Sequence, residues 1–280
     1  MTMDYDYPGL DDLLLAALRE DVGAGDVTTD SCVRRDAVSA GVFVAKEPGV
    51  ICGLGVAARV FSLLDTGVRF TPHVNEGSPV DKGCVIAEIS GPSRSILTGE
   101  RTALNLLQRL SGVATRTAAS VNAVAGTGVK IVDTRKTTPG LRFLEKYAVR
   151  CGGGFNHRFN LSDGALIKDN HIVASGGIAE AIARARSGCP HTLKIEVEAE
   201  TIGQVMEALE AGADIIMLDN MPPEVMAEAV KLINGRALTE ASGNMGDRDL
   251  RVVAETGVDF ISIGALTHSV KALDVSLKFS

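Results

Sequence analysis

Six short apolar runs in the second half of the chain each finish on a polar or glycine residue, and helical patterns fill most of the gaps between them. Lys130 to Val132 stops at Asp133, Ala165 to Ile167 at Lys168, Leu193 to Val197 at Glu198, and Ile215 to Leu218 at Asp219. Arg236 to Thr239 leads into Glu240-Ala-Ser-Gly-Asn244, and Phe260 to Ile263 stops at Gly264. Helical patterns cover Ile178 to Arg186, Ile202 to Glu210, Glu224 to Ile233 and Arg248 to Glu255, with Pro222-Pro223 and Asp247 as start signals. Gly212, Gly235 and Gly257 follow three of them, where helices commonly end. This alternation predicts an α/β fold, either a (β/α) barrel or a doubly wound sheet. Barrel enzymes gather their functional groups at the C-terminal ends of the strands, so six polar strand ends predict one shared pocket.

The first third reads differently. A helix from Leu10 to Glu20 precedes the turn-rich Asp21-Val-Gly-Ala-Gly-Asp26, and β-like runs follow at Gly41 to Ala45, Val68 to His73 and Cys84 to Ile89. Gly53-Leu-Gly55 opens a helix to about Leu64, and a long helix is expected from Ser93 to about Ser111. The Gly53-Leu-Gly55 stretch lacks the third glycine and the clean preceding strand of a dinucleotide fingerprint, so it reads as a helix-entry turn. These features predict an N-terminal α/β sandwich domain over residues 1–111 and a barrel domain over residues 112–267. The remaining segment, 268–280, alternates apolar and polar residues from Ala272 and is suited to pack back on either.

Composition narrows the class. Apolar residues make up 45% of the 280, with no Trp, so the core must be built from Val, Ile, Leu and Ala, which suits parallel strands covered by helices. A net charge of -7 argues against general nucleic-acid binding, which needs a long basic face. The acidic N-terminus has neither the charge nor the pattern of a signal or transit peptide, and no apolar stretch reaches the roughly 20 residues that span a bilayer. Five cysteines, odd in number and without C-x-x-C spacing, predict reduced, buried thiols in a cytoplasmic protein. No histidine lies near a cysteine pair in sequence, so no structural zinc site is expected.

Against this acidic background, the segment from Thr134 to Lys168 holds seven Lys or Arg and only two acids, Glu145 and Asp163. That reversal is the electrostatic footprint of a small, strongly anionic ligand. Arg135, Lys136, Arg158 and Lys168, with His157 beside them, flank strand ends and the run Gly152-Gly-Gly154, where absent side chains permit close backbone approach. Arginine forks match carboxylates and lysines serve phosphate oxygens, so the set fits a substrate pair carrying both. Glu198 and Asp219 read either as charge compensation or as ligands for Mg²⁺ or ribose hydroxyls. Ser242-Gly-Asn244 and Gly264-Ala265, each after a strand, offer backbone N–H groups to a phosphate or are ordinary turns. Glu100 and Arg101 fall on an apolar helix face, where they form either a buried pair or an interface and ligand contact. His73 and His191 read as surface residues, His171 as a loop brace or ligand contact, and His268 as a possible phosphate contact.

The words Glu100-Arg-Thr-Ala-Leu-Asn105, Asp133-Thr-Arg-Lys-Thr-Thr-Pro-Gly140, Lys146-Tyr-Ala-Val-Arg-Cys-Gly-Gly-Gly154, Asn156-His-Arg158 and Leu166-Ile-Lys-Asp-Asn-His171 resemble the quinolinate phosphoribosyltransferase family. Glu196-Val-Glu198, Leu218-Asp-Asn220 and Ala241-Ser-Gly-Asn244 extend the resemblance, which runs from Glu20 to Asp274. A branch linked to molybdenum utilisation is similar in fold but departs from the Gly-Gly-Gly-x-Asn-His-Arg and Lys-Asp-Asn-His words kept here. Asn244 stands where some members carry glycine.

The resemblance implies an α/β sandwich followed by an incomplete (β/α) barrel, in a cytoplasmic homodimer or an assembly of dimers. It implies that the substrates are quinolinate and 5-phosphoribosyl 1-pyrophosphate, with Mg²⁺ as cofactor, while charge and hydropathy leave neither nucleic acid nor membrane as an expected partner. Quinolinate contacts carry over to Arg135, His157, Arg158 and Lys168, with Thr134 beside them, and Arg101 is the arginine lent to the neighbouring subunit. Lys136, Glu198 and Asp219 match the phosphoribosyl and metal side, with Lys136, Lys168, Glu198 and Asp219 expected to serve catalysis. Ser242, Gly243, Asn244, Gly264 and Ala265 match the 5-phosphate loops.

Overall fold

The computed structural model describes residues 7–279, so the acidic opening Met1 to Asp6 lies outside the described residues. Two compact units divide the chain. The first comprises Met1–Ala118, Arg150–Gly153 and Val270–Ser280, and the second comprises Ala119–Val149 and Gly154–Ser269.

In the first unit, α1 (Leu10–Val22) buries Leu10, Leu14 and Leu18, one face at four-residue spacing. Asp26 caps α2 (Val27–Cys32) by accepting the Thr29 N–H at 3.0 Å. β1 (Val38–Ala45) and β2 (Gly49–Val50) precede α3 (Leu54–Leu64), and β3 (Arg69–Pro72), β4 (Pro79–Val80) and β5 (Val85–Pro92) lead to α4 (Ser93–Ala123). An antiparallel sheet forms in the order β12-β1-β5-β3, where β12 (Val275–Phe279) is the C-terminal strand pairing with β1. Phe43, Phe61 and Phe70 meet in its core with ring centroids 5.3–6.2 Å apart.

The helix expected to end near Ser111 runs on to Ala123. Gly112 sits inside it because the C-terminal segment crosses there: a Cβ on Gly112 would lie 3.1 Å from the Ala272 Cα. Gly53, in the left-handed region at φ 106°, caps α3, as a helix-entry turn should.

Six parallel strands form the sheet of the second unit. They are β6 (Lys130–Val132), β7 (Ala165–Ile167), β8 (Ile195–Ala199), β9 (Ile215–Asp219), β10 (Leu238–Ser242) and β11 (Phe260–Ser262). Their order is β6-β11-β10-β9-β8-β7, so the first strand pairs with the last and the edges fall between the first and the second. That cyclic order is a (β/α) barrel left open at one seam. Helices α5 (Arg142–Cys151), α6 (Asp169–Ser175), α7 (Ile178–Gly188), α8 (Ile202–Glu210), α9 (Pro223–Ile233), α10 (Leu250–Ala254) and α11 (Ala265–His268) occupy the connections.

Four strands match the apolar runs to within one residue, but β8 and β10 begin two residues further along than Leu193–Val197 and Arg236–Thr239 predict. Polar side chains cause the shift. Glu198 and Glu240 look like strand ends in sequence, yet both lie within strands. No helix among the described residues is long and apolar enough to cross a membrane.

Candidate active site

A cavity of about 520 Å³ opens at the C-terminal ends of the barrel strands. Thr134, Arg135, Lys136, His157, Arg158, Lys168, Glu198, Asp219, Ser242, Gly243, Asn244, Gly264 and Ala265 all line it. Arg101 lies in the first unit, exposed on α4 beside the half-buried Glu100, so the two do not form a buried pair.

The cationic wall rests on a buried scaffold. Asp133, directly after β6, binds the Lys146 ammonium, and both side chains are fully buried. The same carboxylate accepts the Asn156 amide at 2.6 Å and the His157 N–H at 2.9 Å, while Lys146 also donates to the His157 carbonyl at 2.9 Å. Burial pushes the Asp133 carboxyl up and the Lys146 ammonium down, each against the attraction between them. Arg142 donates to Thr137 Oγ1 at 3.0 Å and to the Arg135 carbonyl at 3.4 Å, and Thr267 Oγ1 donates to the Lys136 carbonyl at 2.7 Å. Arg158 donates to the Gly164 carbonyl at 2.8 Å; burial, then the charge of Arg135, lowers its pKa. The Nε of Arg135 is buried without a hydrogen-bond partner, an unmet donor in a cationic wall.

Strand alternation arranges the acids in two tiers on one face of the sheet. Glu196 and Glu198 are two apart on β8, and Glu240 and Ser242 are two apart on β10. In the deeper tier, His157 Nδ1 accepts the Arg158 N–H at 2.8 Å, so Nε2 carries the proton toward Glu196 at 3.0 Å and Glu240 at 3.7 Å. Burial opposes charge on His157, but Glu196 and Glu240 outweigh it and raise its pKa. Burial, reinforced by Glu196, pushes the Glu240 carboxyl up to about 8. One oxygen each of Glu196 and Glu240 is buried without a hydrogen-bond partner.

In the upper tier Glu198 stands 3.6 Å from Lys168, and Asp219 accepts the Asn220 amide at 2.7 Å. Burial raises the Glu198 pKa, Lys168 opposes it and Asp219 adds to it. Hard carboxylate oxygens at adjacent strand ends fit Mg²⁺, which takes one or two such ligands and fills the rest with water and phosphate. Beyond them the chain turns sharply. Asn220 and Asn244 adopt φ 54° and 53°, and Gly243 adopts 92°. Asparagine tolerates the left-handed region, which explains how Asn244 replaces glycine. A Cβ on Gly243 would lie 2.7 Å from the Asn220 backbone nitrogen.

Several expectations change. None of Gly152, Gly153 and Gly154 lines the cavity; a Cβ on Gly152 would lie 2.6 Å from the Thr117 Cβ, so the glycine admits α4 rather than a ligand. His171 braces its loop, with Nδ1 accepting the Lys168 N–H at 3.0 Å. His73 is exposed, as expected, and faces Glu88 at 3.1 Å. None of the five cysteines forms a disulfide among the described residues, but of them only Cys52 is buried. Sequence reasoning missed Glu240, Met217, Ser262 and Asp247 in the lining. The period-two spacing of Glu196 with Glu198 and of Glu240 with Ser242 was the available signal.

Residues 26–111 match the family model for the quinolinate phosphoribosyl transferase N-terminal domain, and residues 113–278 match the model for its C-terminal domain. The chain belongs to the quinolinate phosphoribosyltransferase family. Within that family it is 50% identical over 258 residues to a probable nicotinate-nucleotide pyrophosphorylase [carboxylating] of Bacillus subtilis, covering 92% of this chain and 89% of the relative. The corresponding protein of Mycobacterium leprae is 42% identical, covering 99% of each chain. The crystal structure of NadC from Streptococcus pyogenes matches with a TM-score of 0.94 at 46% identity, over 100% of this chain and 99% of that one.

Proposed function

We propose that this pocket carries out the reaction of the family: quinolinate and 5-phosphoribosyl 1-pyrophosphate give nicotinate mononucleotide, pyrophosphate and CO₂, a step of NAD biosynthesis. One observation carries the reading. A single cavity is lined by Arg135, Lys136, Arg158 and Lys168 together with Glu198 and Asp219, a cationic set suited to a dicarboxylate and phosphates beside an acidic pair suited to a phosphosugar.

Arg135, Arg158 and Lys168 clamp the two carboxylates and aim the ring nitrogen at the anomeric carbon, and such positioning accounts for a large part of the barrier reduction. The orphaned Arg135 Nε supports this role. The nitrogen lone pair forms the C–N bond as the C–O bond to pyrophosphate breaks. Lys136 faces the negative charge that builds on the leaving group, while Glu198 and Asp219 hold ribose hydroxyls or the metal and stabilise positive charge on the sugar. In the latter case Glu198 and Asp219 would hold Mg²⁺, which would supply further neutralising charge to the pyrophosphate. Backbone N–H groups of residues 242–244 and 264–265 receive the 5-phosphate.

Glycosylation makes the ring nitrogen cationic. The adjacent carboxylate then leaves as CO₂, its bonding electron pair remains on the ring carbon beside that cation, and a proton from Lys136, Lys168 or water quenches it. The exposed Arg101, which forms no ion pair among the described residues, supports a homodimer in which each subunit lends this arginine to the other. Five cysteines outside any disulfide among the described residues support a cytoplasmic setting.

Purified protein with phosphoribosyl pyrophosphate, Mg²⁺ and either quinolinate or nicotinate tests the reading by nucleotide and CO₂ release. Quinolinate turnover is the expected result; turnover with nicotinate alone overturns it. Mixing Arg101→Ala and Arg158→Ala subunits should restore part of the activity that each lacks. No recovery between folded parents removes the shared site.

A further inference from the structure

The sequence offers no Cys/His pairing for a structural metal, yet the first unit brings metal-ligating side chains together from distant stretches. Cys52 Sγ, Cys151 Sγ and a Glu76 carboxylate oxygen all lie within 4.8 Å of one another. Cys52 precedes the cap of α3, Glu76 lies between β3 and β4, and Cys151 ends α5.

The backbone around each ligand is fixed. The Cys52 N–H donates to Ser111 Oγ at 3.0 Å, and that hydroxyl donates back to the Cys52 carbonyl at 3.1 Å. Glu76 accepts the Gly53 N–H at 2.8 Å and the Gly55 N–H at 3.3 Å, one on each oxygen. Gly77 adopts φ 79°, and a Cβ there would lie 2.9 Å from the Cys151 carbonyl oxygen, so glycine at this position lets the two stretches meet. Cys52 is fully buried, whereas Glu76 and Cys151 are half-exposed, which leaves an entry side.

We propose that Cys52, Glu76 and Cys151 form a binding site for a thiophilic divalent cation of the zinc type, with water in the fourth position. Zn–S distances near 2.3 Å and Zn–O distances near 2.1 Å put tetrahedral ligand atoms roughly 3.5–4 Å apart, a spacing this cluster reaches by small side-chain adjustments. Both thiol protons pass to solvent on binding, and two thiolates with one carboxylate face the dication. Thiolate donors separate this site chemically from the all-oxygen Glu198–Asp219 rim, which suits Mg²⁺. The Gly53 and Gly55 N–H groups orient the carboxylate as outer-shell donors orient metal ligands. The bound ion would tie down the end of α5, five residues before Asn156.

The test uses the full chain, purified under reductant, stripped by chelation and titrated with Co²⁺. A thiolate-to-cobalt charge-transfer band saturating at one Co²⁺ per chain, displaced by Zn²⁺, is expected, together with a Zn²⁺-dependent rise in thermal midpoint. Cys52→Ala and Cys151→Ser should each abolish that rise, Cys32→Ser should keep it, and Glu76→Gln should weaken Zn²⁺ binding at least about tenfold. Zn²⁺ should also protect Cys151 of the unaltered chain from alkylation, which needs no variant to fold. Absence of the band, a band surviving in both cysteine variants, unprotected Cys151, or a mass loss of two hydrogens marking a Cys52–Cys151 disulfide each overturns the proposal.

Discussion

The two tiers of ionisable groups in the barrel use the same residue types for opposite ends. Above, Glu198, Asp219 and Lys168 are partly open to solvent, and Glu198 and Lys168 hold each other only loosely at 3.6 Å. Below, Asp133, Lys146, Glu196 and Glu240 are buried, with His157 against the two glutamates. A loosely held charge can exchange its partner for a substrate. A buried one cannot do so without leaving its counterpart desolvated and unpaired, so its value lies in fixing what stands above it.

The sharpest way to break this contrast is Lys146→Met, which strands the buried Asp133 carboxylate. Urea unfolding should report a loss of about 3–5 kcal/mol. A change close to zero would show that the lower tier is not structurally committed. Next in size, Glu198→Gln or Asp219→Asn should lower kcat/KM by about 100-fold or more while the thermal midpoint stays close to that of the unaltered chain. A large fall in midpoint would merge the tiers.

A subtler effect concerns pH. Glu240 keeps its proton in the folded state up to about 8, while its ordinary value is 4.5, so between those limits the folded chain binds more protons than the unfolded one. Stability should therefore fall as pH rises through that window, and Glu240→Gln should flatten the fall in a series of thermal melts. His157 adds to the same slope, because its raised pKa gives stability that is present at low pH and lost as pH climbs through the folded value. The smallest expected change is spectroscopic: Glu196→Gln should lower the His157 imidazole pKa followed by NMR, and an unchanged titration would remove Glu196 as its main partner.

The sequence exposed the upper tier more readily than the lower one. Lys168, Asp219 and Gly264 end or follow apolar runs, so polarity at a strand end marked them directly. The displacement of β8 and β10 came from reading Glu198 and Glu240 as interruptions, whereas Glu196 and Glu240 both lie inside strands, where no strand end marks them. Their meaning depends on His157, which arrives from a different connection and is invisible to any window along the chain. Arg135 shows the same limit. Its type and position were legible, but the buried Nε without a partner is a property of three-dimensional packing.

The seam between β6 and β7 has an evolutionary consequence. The connection that crosses it, from Asp133 to Gly164, carries Arg135, Lys136, His157 and Arg158, and it leaves and re-enters the sheet at its two edges. Phe155 within that stretch bridges to Val132, and Asp133 ties down Lys146, Asn156 and His157, so insertions or deletions between those anchors are the ones that need not shift the register of the ladder from β7 round to β6. Under the proposed reaction, the loops between those anchors can therefore vary in length and shape independently of the strands that would present Glu198, Asp219 and Ser242 to the sugar phosphate.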